Sequence, residues 1–165
     1  MFRNAIAALF LAFCSMSFAK TAEFTFSPHC TLTSVLNHLH LKYDPSLVRP
    51  EIVLQSEIPF SEFQDLIEKK WNLRPKGFLN IYMPKENKIF LVDDIEYYQK
   101  TGRFMDDSLA HEFTHYIQVV YQKTDLDGSS DKLEQEAIDV QNWYRESFLN
   151  TQKSPCEKSH KYILK

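Results

Sequence analysis

Two histidines four residues apart, His111 and His115, stand inside a stretch whose apolar residues recur at helical spacing. Leu109, Phe113, Tyr116, Ile117 and Val120 form one stripe of a helix predicted over about Asp106 to Gln122. Residues i and i+4 lie on the same helix face, so both imidazoles point the same way. At about 100° per residue they fall nearly opposite the apolar stripe. Such a helix buries one face in a core and shows the other, with two nitrogen donors at metal-ligand separation, to a cleft. Glu112 projects beside them, within reach of a water on such a metal.

The rest of the chain reads as α+β. Leu32, Val35, Leu36 and Leu39 give helical spacing across Thr31 to Tyr43. Ser61-Glu62-Phe63-Gln64 resembles a capping box opening a helix that runs to about Trp71. Phe78 to Tyr82 and Lys88 to Val92 read as two strands joined by the turn cluster Pro84 to Asn87, a small antiparallel sheet. A loop over Thr124 to Asp131 precedes a long helix predicted from about Lys132 to Leu149, with Leu133, Ala137, Val140, Tyr144 and Phe148 on its buried stripe. Asp125, Asp127 and Asp131 lack the glutamate that a calcium loop places at its twelfth position, so this loop is read as solvated.

The first 19 residues are set apart from the fold. Arg3, the apolar run Ala5 to Phe13 and the small-x-small site Ser17-Phe18-Ala19 have the form of a secretory signal peptide. The run is short for a bilayer span. Residues 20–165 are then one exported domain, periplasmic or secreted, with no membrane attachment. Export fits the cysteines. After Cys14 is removed, Cys30 and Cys156 remain, an even pair expected to form one disulfide in an oxidising compartment. The formal net charge of −3 and the absence of a basic cluster in the sequence argue against a nucleic-acid partner. A monomer is expected.

The pattern His111-Glu112-Phe113-Thr114-His115 is similar to the H-E-x-x-H of zinc peptidases. Metzincins would place Gly at Gln118 and His at Tyr121, and neither fits. Downstream, Glu134-Gln135-Glu136-Ala137 offers two acids. Here the chain resembles the gluzincin metallopeptidases: H-E-x-T-H looks like the thermolysin type, and Glu134 with Ala137 is similar to the E-x-x-A of membrane aminopeptidases. Glu136-Ala137 looks instead like the Glu-Ala of thermolysin. Gln118 and Gln141 add a likeness to small bacterial exported proteins of unknown function with H-E-x-x-H-x-x-Q and a later E-x-E-A-x-x-x-Q. The aspartate that such families often place four residues after the ligand is absent, since Ile138 and Val140 stand there.

The resemblance implies a minimal, mostly helical zincin-like domain, its metal helix packed on a second ligand-bearing helix. One zinc ion would be held by His111, His115 and Glu134, with Glu136 as the alternative third ligand. Glu112 would act as general base on a zinc-bound water, and peptides or proteins would be the substrate. Two other readings stay open: a non-catalytic zinc-binding or interaction protein on the same scaffold, and a zinc hydrolase of a non-peptide, cell-wall amide bond. Tyr116, Tyr121 and Tyr144 can donate to an oxyanion, although aromatics at helical spacing are more often core. His29, His38, His40 and His160 are read as surface or loop residues. N-terminal sequencing of secreted material should begin at Lys20; protein retained with Met1 intact would refute the signal reading.

Overall fold

A computed structural model describes residues 20–126 and 131–156; the signal segment, Asp127 and His160 lie outside them. Helix α1 spans Pro28–His38, with Ser27 as N-cap, and strand β1 spans Glu51–Leu54. Helix α2 spans Phe60–Trp71, strands β2 and β3 span Ile81–Met83 and Lys88–Leu91, and the short helix α3 spans Ile95–Thr101. Helices α4, Met105–Val120, and α5, Asp131–Tyr144, follow, and α5 continues into a π-helical turn at Arg145–Leu149.

The expected β2–β3 hairpin is antiparallel, with Ile81 opposite Phe90 and Met83 opposite Lys88. An unanticipated third strand, β1, adds in parallel to the other side of β3, so the sheet is mixed with order β1-β3-β2. Strand alternation splits the core in two. Ile89, Leu91 and Tyr82 face α4, while Phe90, Met83 and Val53 face Phe63 and Ile67 of α2. Strand β2 begins later than its apolar run suggests. Phe78 turns away to stack on Phe63 at 4.0 Å, and the Asn80 side chain, not its backbone, accepts the Val92 N–H at 2.8 Å. Helix α2 also starts earlier than the Ser61 capping box implies. The Pro59 carbonyl accepts from the N–H groups of Glu62 and Phe63, and no side chain caps the helix.

Helix α4 is the centre of the molecule, packed by α1, α5, β2 and β3. It is therefore buried well beyond the single stripe its periodicity shows: Asp106, Asp107, Ser108, Thr114 and Gln118 are all at most 2% exposed. Each buried carboxylate is satisfied, as the cost of burying charge requires. Asp106 accepts the N–H groups of Thr25 and Phe26, both at 2.8 Å, which ties the N-terminal segment to the helix. Asp107 accepts the Phe104 N–H at 3.2 Å, Gln141 Nε2 at 3.2 Å and Arg145 Nε at 2.5 Å.

Cys30 and Cys156 stand at disulfide distance, with Cα atoms 5.4 Å apart across a sequence separation of 126. Closing so long a loop restricts the unfolded chain strongly, by up to about 5 kcal/mol. Peptide mapping without reductant should recover the linked pair, and reduction should lower the unfolding free energy measured in urea by about 2–5 kcal/mol. Two alkylatable thiols in the native protein would contradict the pairing.

Candidate metal centre

His111 and His115 project from the middle of α4, and Glu134 reaches toward them from the first turns of α5. Each imidazole faces a different oxygen of the Glu134 carboxylate, and with one ligand atom taken per residue the three lie within 4.8 Å of one another. His111 Nε2 and His115 Nε2 are 3.2 Å apart, and the Glu134 carboxylate oxygens lie 3.4 Å from the first and 3.3 Å from the second. A tetrahedral ion with bonds of about 2.0–2.1 Å spaces its ligand atoms about 3.3–3.4 Å apart. These three residues form a group able to hold a metal ion.

Protonation favours a cation over a hydrogen-bonded cluster. Gln118, fully buried, donates its Nε2 to the Leu133 carbonyl at 2.9 Å and to the Glu136 carboxylate at 2.8 Å. Both partners are acceptors, so the amide orientation is determined and Gln118 Oε1 is left to accept. It lies 2.9 Å from His115 Nδ1. His115 Nδ1 therefore carries the proton, and in the neutral ring Nε2 offers a lone pair. That lone pair faces a carboxylate and another imidazole, an arrangement a positive charge between them makes favourable. His111 is kept neutral: burial, then the charges of His115 and Arg103, push its pKa down to about 4. Ligation requires neutral imidazoles.

Beside His111 stands Gln141, whose Nε2 is committed to Asp107, yet His111 Nδ1 itself completes no hydrogen bond. His115 is thus hydrogen-bonded to one buried glutamine, while His111 only lies beside another. The two acids singled out in the sequence separate here. Glu134 meets the histidines, whereas Glu136 holds Gln118, one step removed from the imidazole.

Glu112 is 4% exposed, with the backbone N–H of Tyr82 near enough to favour its charged form. Burial, reinforced by the nearby Glu134 charge, pushes its carboxyl up to about 8; a cation held by the triad opposes that shift. The cleft around the triad has two halves that share His111, Glu112 and Glu134. One, about 310 Å³, is walled by Trp71, Ile81, Leu126 and Leu133. The other, about 290 Å³, is polar, with Asn80, Tyr97, Arg103 and Gln141.

Other residues marked in the sequence lie elsewhere. Tyr116 donates to the Val48 carbonyl, Tyr144 pairs with Thr31, and Tyr121 accepts from the Asp44 N–H, so none of the three lines the cleft. His38 stacks on Trp143 at 3.8 Å on the exposed side of α1, and His29 meets Tyr43 edge-on. Sequence reasoning missed Trp71, Asn80, Tyr97 and Arg103. They come from helix ends and connections, and no periodicity marks them. Comparisons with protein-family models, with curated proteins and with solved structures return no match.

Metal affinity measured by competition with a chelator should rank the acids. Glu134→Gln should weaken binding far more than Glu136→Gln. Gln118→Leu should cost about 10–100-fold, the usual effect of losing a group that orients a ligand imidazole. A stronger loss for Glu136→Gln than for Glu134→Gln would transfer the ligand role.

Proposed function

We propose that this chain is an exported zinc-dependent metallopeptidase. The observation that carries the reading is the convergence of His111, His115 and Glu134 into one group able to hold a metal ion, with the buried carboxyl of Glu112 alongside. Two histidines and a glutamate are a ligand set of catalytic zinc, which leaves a coordination position open. Zinc bound there would supply Lewis acidity, polarising a substrate carbonyl and making water a nucleophile near neutral pH.

The chain's own residues do the rest. Glu112 accepts a proton from the attacking water and returns it to the leaving amine. Gln118 keeps the His115 lone pair aimed at the centre. Strand β2 forms an edge of the sheet beside the cleft, and Asn80, Ile81 and Tyr82 line it. An extended peptide can lie along this edge with its bond above the triad. The apolar wall of Trp71, Ile81 and Leu133 suits a bulky apolar side chain. Export of residues 20–165 is part of the same proposal, supported by the form of the first 19 residues and by the Cys30–Cys156 pair.

Glu112→Gln tests the catalytic role. It removes the proton acceptor but keeps shape, so zinc stoichiometry and thermal stability should match wild type. Peptide cleavage should fall by at least 10²–10⁴-fold. His111→Ala should lose zinc and activity together. Undiminished cleavage by Glu112→Gln would refute the mechanism, and a zinc-loaded wild type inert toward a broad peptide library would favour the non-catalytic scaffold.

A further inference from the structure

The more polar half of the cleft holds a cation that forms no ion pair with the acids beside it. Arg103 lines it together with His111, Glu112 and Glu134. Among the described residues it takes part in no ion pair and its side chain makes no hydrogen bond, whereas Arg74 and Arg145 are each paired. Glu134, which lines the same recess, is turned to the histidines instead. Among the residues lining either half of the cleft, Arg103 is the one permanently charged cation.

The backbone that carries Arg103 is fixed on both sides. Gly102 ends α3 in the left-handed region at φ 64°, a conformation that glycine adopts without steric cost. The N–H groups of Gly102 and Arg103 both donate to the Tyr98 carbonyl. The next residue, Phe104, is held by Asp107. This turn is preorganised, so binding a ligand there orders only the side chain. Tyr97, in the first turn of α3, lines the same pocket, and its hydroxyl makes no hydrogen bond among the described residues. A guanidinium and a phenol, both with unused donors, share a recess of about 290 Å³ that opens on the metal triad.

Planar, double-donor recognition by a guanidinium matches a carboxylate. We propose that Arg103 and Tyr97 bind a carboxylate of the substrate on one side of the scissile bond, while the apolar half takes the segment on the other side. The inference rests on the metallopeptidase reading and adds a substrate class: peptides with a carboxylate within one or two residues of the cleaved bond. A recess this small holds a short leaving segment. Two sources share that chemistry, a free C-terminus, which makes the enzyme a carboxypeptidase, and an Asp or Glu side chain within a longer peptide.

The test uses zinc-loaded Glu112→Gln protein, residues 20–165, titrated by calorimetry with three uncleaved probes. They are acetyl-Ala-Leu-Ala as free acid, the same peptide as carboxamide, and acetyl-Ala-Leu-Glu as carboxamide. The free acid should bind about 10–100-fold more tightly than the plain carboxamide, the range of a charge-assisted hydrogen bond. Arg103→Gln should erase that gap without weakening the carboxamide, Arg103→Lys should restore part of it, and Tyr97→Phe should narrow it. Arg103 is exposed, so these variants should melt like the parent. Arg103-dependent tightening only for the glutamyl peptide assigns the subsite to acidic side chains. Equal zinc-dependent binding of all three probes, or a gap that persists in Arg103→Gln, overturns the proposal and leaves the metallopeptidase reading intact. Absence of zinc-dependent binding for every probe removes both.

Discussion

The arrangement on which everything else depends is the antiparallel contact between α4 and α5, locked by two buried polar clamps. At one end Gln118 of α4 donates to Leu133 and Glu136 of α5. At the other, Asp107 of α4 accepts from Gln141 and Arg145. The His111–His115–Glu134 group lies between them. Apolar packing alone tolerates sliding by a fraction of a turn, but directional hydrogen bonds do not. A ligand set with contacts of 3.2–3.4 Å from two helices needs that register held tightly. Removing one partner of a buried ion pair such as Asp107–Arg145 costs about 3–5 kcal/mol, so site geometry and fold stability are coupled here.

The same clamps carry electrostatic information. Gln118 passes the acceptor character of the Leu133 carbonyl and the Glu136 carboxylate through its amide and so sets the His115 tautomer. Gln141, oriented by Asp107, is positioned beside the orphaned Nδ1 of His111. Amides do here what carboxylates often do beside ligand histidines. The Gln118 amide orients its ring without adding negative charge next to Glu112, whose carboxyl is already raised by burial and then by the Glu134 charge. The cleft's charge pattern follows: acids on the helices, a lone guanidinium on the connection, and an apolar wall opposite.

The α4 and α5 periodicities, the shared face of His111 and His115, and the hairpin were legible because each depends on residues within a few positions of one another. The central burial of α4 was not legible. Its polar residues look like a solvent face in a helical projection, and only partners distant in sequence, such as Thr25, Gln141 and Arg145, make Asp106 and Asp107 tolerable inside. Strand β1 was missed for a related reason: four residues after Pro50 show no alternation, and their strand identity comes from the parallel partner β3.

By itself the sequence determined which residues bring donor chemistry: two imidazoles one helical turn apart, a glutamate beside them, and two more acids near the start of a later helix. Local backbone geometry fixes those relations, since 3.6 residues per turn leaves little freedom between positions i and i+4. The tertiary structure decided the rest. Glu134 and Glu136 flank the same buried stripe at nearly equal angles, and only the helix–helix register sends one to the histidines and the other to Gln118. Arg103, Tyr97, Asn80 and Trp71 share one cleft because separate elements end there, and a chain's local pattern carries no information about where its ends will meet.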